Sequence, residues 1–144
     1  MRNPYVTPRA VLTGFISVAV GGFLGSLLRG WLTRTTQTNH SSFTQGSFSW
    51  HLVPWALLLI NAAGVYLAVL LLGRLFAHQS YLDPTRLFLI TGFFGGLTSY
   101  SGVFVALYAI WQVSHPASIL VGLGGLLSGV LAGRMALART GRHQ

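Results

Sequence analysis

The chain has 144 residues, 52% of them hydrophobic, a mean hydropathy of +0.62 and only 7% charged side chains, against about 25% in a soluble domain. Its formal charge of +8 comes from nine Arg, with no Lys, a single acid, Asp83, and no Cys. One carboxylate excludes paired-acid hydrolysis and an Asp/Glu metal cage, the lack of Lys excludes a Walker A loop and a Schiff base, and the lack of Cys excludes disulfides and Fe–S centres.

Residues 1–9, MRNPYVTPR, read as a short disordered lead. The apolar run behind them is too long for the h-region of a signal peptide, and no small-residue cleavage site follows it. Four stretches lack ionisable side chains other than tyrosine: 10–28, 53–73, 87–113 and 116–133. They are 19, 21, 27 and 18 residues long, and about 18–20 apolar residues cross a bilayer core. The sequence therefore predicts a single all-α integral membrane domain over 1–144, its partner the lipid bilayer. Its four transmembrane helices fall at about 10–32, 53–75, 86–112 and 116–138.

Span 1 opens into a polar loop, 35–51, whose Asn39-His40-Ser41 triplet is a glycosylation sequon only in a secretory context. Spans 2 and 3 are joined through Asp83-Pro84, a turn signal. The link Ser114-His115-Pro116 is so short that spans 3 and 4 form a tight antiparallel pair. The arginines sit at span ends and form no basic stripe, so they set membrane topology rather than bind nucleic acid.

Many of the 18 glycines fall inside the spans. Gly21/Gly25, Gly92/Gly96 and Gly125/Gly129/Gly133 have the spacing that lets helix backbones approach in lipid, either within one subunit or toward a second. Span 3 carries GFFGGLTSYSG at 92–102, a poor helix in which each Gly costs about 1 kcal/mol relative to Ala. A break there leaves backbone groups that lipid cannot satisfy, so it must face protein or a water-filled cavity. In transport proteins such mid-membrane breaks hold ions; the plainer reading is a packing kink. Arg29 closes the apolar part of span 1, as a functional intramembrane charge or as a snorkelling residue. Asn61 is the strongly polar side chain of span 2, able to donate to an anion or to another helix. The five His (40, 51, 78, 115, 143) lie in loops and ends without ligand spacing, and Trp31, Trp50, Trp55 and Trp111 sit near span ends like an interfacial belt.

Three segments together resemble the CrcB/Fluc fluoride channel family. GGFLGSLLR at 21–29 is similar to its span-1 GGxxG[AS]xxR motif, INAAG at 60–64 to its [VI]NxxG motif, and GFFGGLTSYSG at 92–102 to its GFxGGxTTFSTF motif. The resemblance covers about residues 10–133. It implies an antiparallel dimer with two narrow anion pathways that let fluoride leave the cell passively, without enzymatic chemistry. It also implies a structural Na⁺ at the dimer interface, held by the backbone carbonyls of Gly95 and Thr98. Asn61, Tyr100, Ser101 and Val103 would line the anion pathway, and Arg29 would be the basic residue at its vestibule.

The departures from the family pattern fall on the pore. Tyr100 and Val103 stand where the family has two phenylalanines, and Gly102 stands where it has a Thr. Two rival readings follow. One is a partner subunit that conducts partly or not at all and completes a heterodimer. The other, disfavoured because Asp83 lies in a loop, is a small multidrug-type proton-coupled exporter. Charge adds a topological expectation. With four spans, Arg2, Arg9, Arg74, Arg86, Arg134, Arg139 and Arg142 share one side, while Arg29 and Arg34 fall on the other. The positive-inside rule then places both termini in the cytoplasm of a cell-membrane protein.

Overall fold

The computed structural model describes residues 7–34, 50–77 and 79–141, apart from the side chain of His51. The start of the lead, the polar loop with its Asn39 triplet, His40, His78, His143, Arg2 and Arg142 lie outside the described residues. Among the described residues all regular structure is helical. Helix α1 is Pro8–Arg34, a short 3₁₀ turn covers Trp50–Leu52, and α2 is Trp55–Arg74. The third span runs Pro84–Trp111 as α3 (84–97) and α4 (Tyr100–Trp111), and α5 is His115–Thr140.

Local chemistry starts these helices where they start. Thr7 Oγ1 accepts the Ala10 N–H at 3.2 Å, and Pro8 opens α1. Asp83 accepts the Thr85 and Arg86 N–H groups at 2.9 and 3.0 Å, with Pro84 in the first helical position. Ser114 accepts the Ala117 N–H at 3.4 Å ahead of Pro116. At 1.5 Å rise per residue, the 27 residues of α1 and 26 of α5 extend about 40 Å each. Both exceed the roughly 30 Å hydrocarbon core.

The four helices long and apolar enough to cross a membrane turn most of that apolar surface outward. Only 6–22% of the residues in their most apolar windows are buried. Phe15, Phe23, Leu59, Val105 and Leu120 are all exposed, the inverse of a water-soluble core and the surface that lipid or another subunit covers.

Glycine sets the packing. A Cβ at Gly21 would meet the Phe88 carbonyl, and one at Gly25 the Phe93 carbonyl. From the other side, a Cβ at Gly92 would lie 2.8 Å from the Val18 carbonyl, and one at Gly96 would be 2.9 Å from Gly22 Cα. The two small-residue pairs of spans 1 and 3 therefore face each other backbone to backbone, and Ser26 Oγ donates to the Gly96 carbonyl at 3.4 Å. The stripe on α5 also packs inside the subunit. Gly125 lies against Leu58 and Gly133 against Val65, both on α2, while Gly129 faces the Tyr100 hydroxyl. Helices α4 and α5 form the tight pair their short link requires: Ser118 Oγ donates to the Leu107 carbonyl at 2.8 Å.

Candidate functional site

The third span is interrupted in mid-course. Leu87–Phe94 has a wide, π-type hydrogen-bond ladder, a departure from α-helix that is frequent at functional sites. One α-helical turn, Gly95–Leu97, follows, and then Thr98 (φ −81°, ψ 136°) and Ser99 (φ −147°, ψ 110°) are extended before α4 resumes at Tyr100. Both halves of the break are held by side chains. In an unbroken α-helix the Ser99 N–H would bond the Gly95 carbonyl, and the Gly102 N–H the Thr98 carbonyl. Here the Ser99 N–H donates to Asn61 Oδ1 at 2.8 Å, and the Gly102 N–H donates to Ser99 Oγ at 3.3 Å. Asn61 Nδ2 closes the clamp by donating to the Ser99 carbonyl at 3.2 Å. The Gly95 and Thr98 carbonyls thereby lose the partners that a continuous helix would give them.

The span-2 spacing acquires a physical meaning from this contact. Gly64 lies one turn beyond Asn61, and a Cβ there would sit 2.5 Å from Thr98 Cγ2. So Asn61 grips the break while Gly64 leaves room for the threonine beside it. Thr98 is fixed further by its N–H and Oγ1, which donate to the Phe94 carbonyl at 2.9 and 2.8 Å. Among the described residues no buried side-chain N or O lacks a hydrogen-bond partner.

Beside the break, α2, α4 and α5 enclose an apolar groove of about 550 Å³, whose lining includes Asn61, Tyr100, Val103, Phe104, Tyr108 and Gly129. Tyr100, Phe104 and Tyr108 follow at helical i, i+4, i+8 spacing on one face of α4, with 51%, 68% and 67% of their surfaces exposed. Val103, by contrast, is only 7% exposed. Of the sequence-predicted pathway residues, the groove brings together Asn61, Tyr100 and Val103. Ser101 stays at the break, its hydroxyl 3.0 Å from that of Ser99. Arg29 stands near the end of α1, half-buried and outside the groove lining. Sequence reasoning missed Ser99, the residue that Asn61 holds. It also missed Phe104 and Tyr108, although their spacing of four from Tyr100 was a signal that would have found them.

The carboxylate of Asp83 is taken up as a helix cap ahead of span 3, outside the apolar segment. Among the described residues no group of three or more His, Cys, Asp or Glu is placed to hold a metal ion. The oxygen donors on offer are the released carbonyls, a set that suits a hard monovalent cation.

A bundle of four membrane-crossing helices, with a clamped break in the third beside an aromatic groove, defines a small multi-pass membrane protein built around discontinuous backbone. The family described as "CrcB-like protein, Camphor Resistance (CrcB)" matches residues 16–140, and the chain belongs to that family. It is similar to three proteins each named "Fluoride-specific ion channel FluC". The one from Psychrobacter cryohalolentis is 34% identical over 125 residues, 86% of this chain and 89% of that protein. One from Thermus thermophilus is 35% identical over 118 residues, 81% and 85% respectively. The one from Bordetella petrii is 38% identical over 96 residues, 67% and 66% respectively.

Proposed function

We propose that this chain is a subunit of a fluoride-specific channel that lowers cytoplasmic fluoride by passive efflux, with no covalent chemistry. The observation that carries the reading is the Asn61 clamp on the broken third span, set at an aromatic-lined groove in a chain whose relatives bear that name. Fluoride is small and strongly hydrated, so a path must replace its water with hydrogen-bond donors and the positive edges of aromatic rings. Asn61 Nδ2 has a second proton beyond the one given to Ser99. Tyr100, Ser101 and Val103 continue the path, with Phe104 and Tyr108 supplying ring edges, and Arg29 serves the vestibule. Neutral HF enters from acid surroundings and ionises inside, so a passive exit for the anion protects the cell.

The working unit in this reading is an antiparallel dimer in the cell (plasma or inner) membrane. The Gly95 and Thr98 carbonyls would hold Na⁺ at its interface. Gly95 suits that place, since a Cβ built on it meets nothing within 4 Å in the subunit. Bound there, the ion would supply fixed positive charge to the break without a carboxylate. A partner-subunit reading is favoured by one observation: Val103 stands where the family has a ring and is buried. In that case a sister subunit completes the pore. Fluoride efflux from liposomes containing the purified chain, alone and with a sister subunit, tests both. Fluoride-selective efflux from the chain alone establishes the first reading. Efflux only with the sister establishes the second reading, and none in either case overturns both.

A further inference from the structure

We propose that Asn61 is the positioning residue of the carbonyl site at the break: its amide diverts the Ser99 N–H from Gly95 and so keeps that carbonyl free for a cation. This rests on the reading of Gly95 and Thr98 as cation ligands.

The geometry is specific to the broken state. In an α-helix the N–H and C=O of one residue point in opposite directions along the axis. In an extended residue they point to the same side, which is how paired strands exchange two hydrogen bonds through a single residue. Ser99 is extended, and the Asn61 amide meets both of its backbone groups, the N–H at 2.8 Å and the C=O at 3.2 Å. The asparagine therefore acts as a one-residue strand partner inside the membrane. It bonds Ser99 doubly only while the helix is open. Remove the amide, and the Ser99 N–H loses the side-chain acceptor it has here, which lipid cannot replace. Its nearest recourse is the helical bond to the Gly95 carbonyl, four residues back.

Ser99 reinforces the arrangement from the other side, because its hydroxyl takes the Gly102 N–H that a continuous helix would spend on Thr98. One residue pair, 38 positions apart, thus frees both carbonyls. Ordinary interhelical glue would stabilise the fold to the same extent with or without a cation. A positioning role ties the clamp to cation affinity.

The test is Na⁺ binding to the purified full-length protein, read as ²²Na⁺ equilibrium dialysis and as the thermal shift on replacing choline by Na⁺. Asn61→Leu removes both halves of the clamp, and its Na⁺ affinity is expected to fall at least tenfold. Asn61→Asp keeps an oxygen for the Ser99 N–H but loses the donor to the Ser99 carbonyl, and is expected to retain more Na⁺ affinity than Asn61→Leu. Asn61→Gln, whose longer stem displaces the amide from Ser99, serves as a second disrupting variant should the Leu protein fail to fold; the same loss is expected. Equal Na⁺ affinity in the wild type and a folded disrupting variant overturns this inference alone. Absence of Na⁺ binding by the wild type overturns the cation reading and this inference with it. In that case fluoride efflux from the wild type still stands as an independent measure of the channel reading.

Discussion

Asn61 makes two hydrogen bonds to one backbone residue and still has a proton to spare, so a single amide serves both structure and passage. Asn61→Asp places an anionic carboxylate on the path while sparing the bond to the Ser99 N–H. Fluoride efflux from liposomes is expected to be abolished, and wild-type efflux would remove Asn61 from the path. The ring positions divide differently from what alignment suggests. Val103 lines the groove but is only 7% exposed, so Val103→Phe is expected to overpack the bundle, at about 1–3 kcal/mol, rather than add a free ring edge to the path. A lowered melting temperature in detergent, without faster efflux, is the expected outcome. Phe104 faces the groove, and Phe104→Leu keeps an apolar side chain there while removing the ring edge. Efflux is expected to fall at least tenfold with the melting temperature unchanged; unaltered efflux would leave Phe104 a lipid-facing residue.

The glycines of the third span do two separable jobs. Gly92 and Gly96 let α3 lie backbone to backbone on α1, whereas Gly95 looks into open space. A side chain at Gly96 has only the Gly22 backbone to displace, so Gly96→Ala should force the two helices apart and destabilise the subunit by about 1–3 kcal/mol. A Cβ at Gly95 meets nothing within 4 Å in the subunit, so the effect of Gly95→Val is expected one level up, as weakened dimerisation through distortion of the carbonyls proposed to hold the cation. Cross-linking in detergent, compared with the melting of each variant, separates the two. Loss of subunit stability in Gly95→Val with dimerisation intact would contradict the assignment. The break itself was legible in the sequence, because glycine and hydroxyl residues cluster at 92–102. The clamp that holds it was not, because Asn61 and Ser99 meet only when α2 and the third span are docked.

The ends of the whole molecule differ in chemistry. Trp31, Trp50, Trp55 and Trp111 gather at the end where α1 and α4 finish and α2 begins. Arg9, Arg74, Arg86 and Arg139 mark the other, where Arg139 donates to the Tyr66 hydroxyl and Arg86 lies 4.4 Å over the Tyr81 ring. Counted along the sequence over four spans, seven arginines share one side against two, and the positive-inside rule favours one orientation with both termini cytoplasmic. An antiparallel homodimer requires insertion both ways, so this bias points toward an oppositely oriented sister subunit. C-terminal fusions to a cytoplasm-only and a periplasm-only reporter are expected to give signal from the first alone. Comparable signal from both would mean dual topology and would defeat the heterodimer reading.

The four spans and the interrupted third helix were determined by the sequence alone, because both follow from local quantities. Apolar runs of 18–27 residues partition into lipid wherever they sit in a fold, and a Gly-rich stretch weakens whatever helix contains it. The tertiary structure alone decided which groups satisfy the opened backbone, which glycine stripes face which helices, and that Phe104 and Tyr108 join Tyr100 in the groove lining with their rings exposed while Val103 lines it almost fully buried. Those outcomes depend on how each helix is rotated about its own axis and docked against its neighbours. Local composition is nearly blind to that rotation when every face of a helix is apolar.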